Sequence, residues 1–399
     1  MQVRPAQPSE YAEIIALVRA VFPRGDAAEA VLTTTVHNDP RFNPACLRIA
    51  SDGGRVIGVL NVIDRFVRYG SAQVRCAIIA PLAVAGEHQG AGVGSALMRD
   101  GLQWARQAGF QLSMLWGHTW FYPRYGYAPG LKHYEVRLPT HLQPRNDGAY
   151  SLRHYNPADT PALRQVYHSE TAGLTLAEVR SDEPWEWRPL HPDAFVEVAV
   201  DPARAVRGYM RGRLSEHRLE IGELFGMDTG AVQALFDRLL HLGHSKGVAE
   251  VRVTATPHNR WSRLAFAQGA QLCLSSGDGA GMIRVLDWPA FLETILPELG
   301  RRIANSDFVA RRAQVHIETP VGRATVQVEH GRVSLSAARS ANAVTLPFHA
   351  LGPLVTGYLP IAELVGLPGV FIDGQGTHGL LDVLFPEGYP HWSLAAYFS

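Results

Sequence analysis

Three glycines in five positions, Gly90, Gly92 and Gly94 of the stretch HQGAGVGSALM (88–98), separate an apolar run ending at Val84 from a run with helical spacing. Glycine tolerates positive φ and lets another group come close to the backbone, so this junction reads as strand, tight loop and helix. The helix is expected from about Ser95 to Ala108, with Met98, Leu102 and Ala105 on one face and Gly109 as its stop. The first N–H groups of any helix lack partners inside it, and its dipole favours an anion at that end. The loop is therefore either a phosphate cradle or a plain turn.

The familiar phosphate loops divide those possibilities. A Walker loop needs a lysine, and Lys132 and Lys246 are the only lysines among 37 Lys+Arg. A lysine-dependent mechanism therefore has almost no candidates. The dinucleotide spacing GxGxxG needs a further glycine where this chain has Ser95 or Leu97, and no acidic residue stands out at 110–115. The spacing that fits is Gln89-x-x-Gly92-x-Gly94, between the strand and the helix. There the free N–H groups from Gly90 to Ser95 suit a pyrophosphate.

The surrounding pattern falls into three blocks. The first opens with a helix capped by Ser9, its stripe at Ile14, Leu17, Val18 and Val21. Strands follow at RVIGVLNVI, CAIIAPLAV and FQLSMLWG, then a short helix or turn in TWFYPRYGYAPG and a Pro- and Asn-containing linker at 138–148. The second block repeats the order strand, loop, helix ending in Gly, strand and short element, but its loop GMDTG has lost most of the glycines. The third alternates apolar and polar residues at Val315/Ile317, Ala324/Val326/Val328 and Val333/Leu335, one face of an antiparallel sheet, with turns at Gly322 and His330-Gly331 and apolar helices at about 346–366.

Composition excludes other classes. The formal net charge is zero, without the basic excess that nucleic-acid binding needs. The longest uncharged apolar run, 76–86, is far short of the roughly 18–20 residues of a membrane span. No apolar leader core follows Arg4, and Cys46, Cys76 and Cys273 are far apart, which fits free thiols and a cytoplasmic location. His241 and His244 are spaced for one helix face but lack a third ligand, so a solvated face is expected there. DGQGTHG (373–379) reads as a turn, and no G-x-S-x-G elbow is present.

A second signal stands 28 residues after Gly94: Tyr122 opens a Tyr-x-x-x-Gly-Tyr element directly after a strand. The two signals together resemble the GNAT (GCN5-related N-acetyltransferase) family, in which Q/R-x-x-G-x-G/A holds the pyrophosphate of acetyl-CoA and such a tyrosine is the general acid. Over the whole chain the pattern is similar to the Eis (enhanced intracellular survival) type. That resemblance implies an α/β (α+β) fold of two tandem GNAT-like mixed-sheet domains, 1–140 catalytic and 149–288 degenerate, then a sterol-carrier-like α+β domain at 289–399.

Residue by residue, the resemblance implies a cofactor site at Leu82, Ala83, Val84, Gln89, Gly90, Ala91, Gly92, Val93, Gly94, Ser95 and His118. Leu82 to Val84 would pair with the pantetheine arm and offer an N–H to the developing oxyanion. Tyr122 is the general acid. The terminal carboxylate is a possible general base, here on Ser399, one residue past the aromatic Phe398; His118 is a second base candidate. The acceptor implied is a primary amine of a small polyamine, aminoglycoside-like, or of a protein lysine. A polycation prefers an acidic pocket, and residues 1–140 carry 14 Lys/Arg against 10 Asp/Glu, leaving only a local cluster of Asp26, Glu29 and Asp39 to form one. A homo-oligomer, a hexamer by resemblance, is expected, with no metal, nucleic acid or membrane partner. The alternative is a non-catalytic acyl-CoA-sensing or lipid-binding protein.

Overall fold

The computed structural model describes residues 1–22, 26–145, 148–189, 193–214, 218–275 and 280–391, with the side chains of 26, 27 and 275 also outside what is described. The fold is mixed α/β and divides into two compact units. One comprises Met1–Leu131, Leu174–Glu178 and Gly277–Pro390; the other comprises Lys132–Gly173, Val179–Ser276 and His391–Ser399.

Followed along the chain, β1 (Gln2–Pro5), β2 (Leu47–Asp52), β3 (Arg55–Tyr69), β4 (Ala72–Val84), β5 (Leu112–Gly117) and β6 (Ala128–Leu131) build the first sheet. Helices α1 (Tyr11–Val21) and α2 (Asp26–His37) precede β2, and α3 (Val93–Gln107) joins β4 to β5. The next two strands, β7 (His133–Pro139) and β8 (Ser151–His154), enter a second sheet; β9 (Thr175–Glu178) pairs back onto β3. The second sheet is completed by β10 (Ala194–Val200), β11 (Val206–Leu214), β12 (Leu219–Gly226), β13 (Glu250–Thr254) and β14 (Gln271–Ser275), with helices α4 (Thr160–Thr171), α5 (Thr229–Lys246) and α6 (Arg260–Ala267). Then β15 (Ala280–Val285) returns to the first sheet, between β5 and β6 and antiparallel to both.

That exchange departs from the contiguous divisions at 140 and 288. β7 lies in the second sheet, flanked by β13 and β14, although it precedes the expected linker. β15 is a central strand, with both faces covered, which is why Gly281, Met282, Ile283 and Val285 are all buried without alternation. The third block begins with α7 (Trp288–Ala304) and continues as a separate sheet, β16 (Arg312–Thr319), β17 (Gly322–Glu329), β18 (Arg332–Ser336), β19 (Ala343–Thr345) and β20 (Phe371–Asp373), with α8 (Phe348–Thr356), α9 (Ile361–Leu364) and α10 (Thr377–Leu384). It belongs to the same compact unit as the first sheet. The expected antiparallel pairing of β16, β17 and β18 is present.

Local chemistry explains most element ends. α1 starts at Tyr11, after a 3-10 turn over Pro8–Glu10, and not at a Ser9 cap. Glu10 reaches back to the Gln7 N–H at 2.7 Å and pairs with Arg4, so the turn satisfies itself before the helix begins. DGQGTHG turns through Gly374 and Gly376, both at positive φ, into α10. β9 is fixed to the first sheet by a buried guanidinium: Arg65 meets Glu178 at 2.7 Å and Asp39 at 2.6 Å.

The turn joining β3 to β4 is clamped by α7. Glu298 is fully buried; it accepts the Ser71 N–H and hydroxyl at 3.0 Å each, and pairs with Arg301 and Arg302 at 2.7 Å each. Burial alone would raise this carboxyl, but the donors from Arg301, Ser71 and Arg302 outweigh it and bring it down to about 2. A depressed carboxyl stabilises the fold above its unfolded value, and that contribution decays as pH falls towards about 2. Glu298→Gln, which leaves two guanidiniums without their charge partner, is expected to cost on the order of 3 kcal/mol at pH 7. In thermal melts the gap between wild type and variant should shrink as the pH is lowered from 7 to 3; a constant gap contradicts the assignment.

Candidate functional site

β4 and β5 run parallel only over Cys76–Ile78 and Leu112–Met114. Beyond that, β4 stays paired to β3 as far as Val84 and β5 stays paired to β15 as far as Gly117. The sheet is thus split between two neighbouring strands, and among the described residues one edge of Ile79–Val84 has no strand partner. The register with β3 slips between Leu60 and Val62, where the buried Asn61 amide donates to the Ala80 carbonyl at 2.7 Å. Ala85 N–H bonds the Ile57 carbonyl at 3.0 Å, so the alternation of an antiparallel pair turns the backbone groups of Leu82 and Val84 away from β3, towards the split.

At the open end of β4 lies the glycine loop. Gly92 caps α3 at φ 84° and Gly90 sits at φ 79°, conformations that a side chain makes costly. Gln89 is exposed and donates from its amide to the Val84 carbonyl at 3.1 Å, fastening the loop to the strand end. The first bond of the helix is Ala96 N–H to the Gly92 carbonyl at 3.0 Å, so the N–H groups of Val93, Gly94 and Ser95 precede the helical ladder. Ala91 is exposed, whereas the Val93 side chain is buried in the core beneath the helix. α3 therefore points a row of donors at whatever stands in front of Gly92.

Tyr122 opens a 3-10 turn, Tyr122–Tyr125, just past the end of β5. A Cβ on Gly117 would lie 2.3 Å from its ring, so the bare glycine lets that ring lie across the strand end. A Cβ on Gly94 would lie 3.6 Å from both the Phe121 ring and the Val84 side chain, which brings turn, loop and strand end together. The hydroxyls of the neighbouring tyrosines are engaged: Tyr125 donates to Ser95 Oγ at 2.7 Å, and Tyr127 meets Ser113 Oγ at 2.6 Å. Among the described residues no side chain or backbone group bonds the Tyr122 hydroxyl. Burial, then the nearby Tyr125, push its phenol up to about 12, so it holds its proton at neutral pH.

Other expected residues are placed differently. His118 is exposed and stacks on Trp120 with centroids 5.4 Å apart, while its carbonyl accepts the Phe121 and Tyr122 N–H groups. An acidic pocket does not form from Glu29 and Asp39: Glu29 pairs with Arg19, and Asp39 is buried against Arg65. The Asp26 side chain and the whole of Ser399 lie outside the described residues. His241 and His244 are exposed, and His244 bonds the Thr140 carbonyl. Among the described residues no group of three His, Cys, Asp or Glu side chains is placed to hold a metal, and no helix is long and apolar enough to cross a membrane. Sequence reasoning missed Asn61, whose signal was a lone amide inside the apolar run VIGVLNVI.

Residues 2–130 match the family model described as acetyltransferase (GNAT) domain. An uncharacterized N-acetyltransferase, YjhQ of Escherichia coli K12, is 33% identical over 117 residues, which span 29% of this chain and 65% of that protein. A GCN5-related N-acetyltransferase from Kribbella flavida superposes with a TM-score of 0.76 at 22% identity, covering 98% of this chain and 96% of the other. A second from Anabaena variabilis gives 0.77 at 16% identity, with 98% of each chain covered. Eis1 from Mycobacterium abscessus gives 0.68 at 18%, over 98% and 99%. These structures share the fold, and residues 2–130 are similar to GNAT acetyltransferase domains.

The fit of Tyr122 over Gly117 is open to a double-mutant cycle. Gly117→Ala should cost about 1–3 kcal/mol in the wild-type background, as overpacking does, and much less in Tyr122→Ala. Equal costs in both backgrounds, measured by denaturant unfolding, would mean that the ring does not rest on this glycine.

Proposed function

We propose that this protein is an N-acetyltransferase that moves the acetyl group of acetyl-CoA to a primary amine, with Tyr122 as general acid. The observation that carries the reading is the Tyr122 hydroxyl: half-buried, without a bonding partner among the described residues, and beside a split sheet whose far end is a row of free N–H groups. The backbone of Gly92 to Ser95 would hold the pyrophosphate, with the helix dipole adding a modest term. The exposed edge at Leu82 and Val84 suits an amide-bearing arm that completes the missing strand pairing, and offers N–H groups to a developing oxyanion.

The chemistry assigned to these residues is direct transfer. The amine nitrogen, as free base, bonds to the acyl carbon; the carbon–sulfur bond breaks as Tyr122 gives its proton to the departing thiolate; and the nitrogen sheds its surplus proton to solvent water, from which the tyrosinate is reprotonated. The acceptor class, a small polyamine such as an aminoglycoside or else a protein lysine, rests on the resemblance to Eis-type enzymes. The same resemblance supports reading the second sheet as an inactive relative of the first, residues 289–399 as a sterol-carrier-like domain, and the protein as a cytoplasmic homo-oligomer.

Two outcomes test the assignment. Tyr122→Phe should slow thiol release from acetyl-CoA roughly a hundred- to ten-thousand-fold while acetyl-CoA binding persists. Wild-type turnover in that variant removes the acid role, and binding without turnover across a broad amine panel favours the non-catalytic acyl-CoA sensor. An alkyl ammonium ionises at about 10.4, so turnover at low amine concentration should rise from pH 6 to pH 9. Because the phenol is pushed up to about 12, Tyr122 imposes no falling limb in that range; a decline between pH 8 and 9 would contradict it.

A further inference from the structure

A second concavity in the first unit lies beside α3. Its volume is about 880 Å³, and it is bounded by α3, the turn that carries Tyr122, the end of β15 and the start of α8. Arg99, Arg106, Arg124 and Arg284 line it, with Asp287 as the one carboxylate among the lining residues. The mechanism above uses none of these side chains.

The charges are poorly neutralised. Asp287 is already committed as the cap of α7, accepting the Ala290 N–H at 3.1 Å, and it stands 3.8 Å from Arg106. Among the described residues Arg124 bonds the Trp120 carbonyl, at 3.3 Å, lies over the Phe121 ring, and meets no carboxylate. Arg284 donates to the Tyr125 carbonyl and lies over the Phe348 ring, and its Nε is buried with no acceptor among the described residues. Burial pushes the Arg284 guanidinium down, the direction expected of a cation without a counter-ion. Arg99 is exposed and has no acidic partner among the described residues.

Periodicity ties the basin to the glycine loop. Ser95, Arg99, Gln103 and Arg106 follow one another at helical spacing on one face of α3. That face is joined to the Tyr122 turn by the bond from Tyr125 to Ser95. Arg99 lies about 7.5 Å along the helix axis from Gly94, at 1.5 Å per residue. A continuous cationic strip therefore leads from the free N–H groups of the loop into the concavity.

We propose that this basin binds a phosphate monoester through Arg99, Arg106, Arg124 and Arg284, beside the helix terminus at Gly92–Ser95. Arginine forks suit such a group, since each offers paired N–H donors to two phosphate oxygens. The phosphoryl group comes either from the 3′-phosphate of coenzyme A held by the loop, or from a separate phosphorylated molecule. The first source rests on the acetyltransferase reading; the second stands without it.

The test uses the full chain at constant ionic strength. Calorimetric titration compares acetyl-CoA with its 3′-dephospho form, and thermal shift reads inorganic phosphate against chloride, in wild type and in Arg99→Gln/Arg106→Gln. These two side chains are exposed, so the fold should survive. A preference on the order of tenfold or more for the phosphorylated cofactor, lost in the variant, supports the first source. Phosphate stabilisation lost in the variant, without that preference, supports the second. Absence of both effects, or their persistence in Arg99→Gln/Arg106→Gln and also in Arg284→Gln, overturns the proposal. If acetyl-CoA fails to bind while phosphate still stabilises, the acetyltransferase reading falls and the basin stands.

Discussion

The first unit turns on a pairing that stops early. Backbone N–H and C=O groups inside a protein are almost always bonded, and a strand that loses a neighbour must find partners elsewhere. β4 loses β5 after Ile78 yet remains in the sheet through β3 as far as Val84. The slip at Asn61, with its amide on the Ala80 carbonyl, absorbs part of the mismatch. What remains is an edge with one carbonyl taken by Gln89 and, among the described residues, no strand beside it. The glycine loop and the tyrosine turn both take their positions from that split.

Much of this was legible in the residues because the strongest signals are local. Glycines at 90, 92 and 94 fix a strand, loop and helix junction, and α3 begins within two residues of where the apolar spacing places it. The resemblance of the loop and the Tyr-x-x-x-Gly-Tyr element to the GNAT pattern singles out Tyr122, and the structure separates it from Tyr125 and Tyr127 by what each hydroxyl touches. The strand exchange was not legible, because pairing is decided across the sheet and leaves little local trace. AGMIRV differs from a second-sheet strand only in having apolar residues on both faces, with Arg284 the one exception, and HYEVRLP alternates as a strand in either sheet would.

Charge pairing was still less visible. Glu29 and Asp39 look like surface carboxylates in the sequence, yet Arg19 and Arg65 claim them from other elements. The arginines of the α3 basin are spread from 99 to 284 along the chain, and they meet only because β15 is inserted beside β5. Spacing reveals an arginine stripe on one helix; it does not reveal that a distant strand supplies a further guanidinium, which among the described residues has no carboxylate partner.

The second unit shows what an open helix terminus requires. Its β12, α5 and β13 follow the order of β4, α3 and β5, and β12 is likewise parallel to β13. Where α3 is capped by a glycine, α5 is capped by Asp228, whose carboxylate accepts the Ala231 N–H at 2.9 Å. The Tyr150 hydroxyl bonds both carboxylate oxygens at 2.9 Å, and Arg207 stands 3.5 Å away. That terminus therefore carries its own anion, bonded and charge-matched, and a phosphate would have to displace it against like charge. Of these two helix ends in matching positions, the glycine-capped end of α3 is left open to an anion, and the aspartate-capped end of α5 is closed.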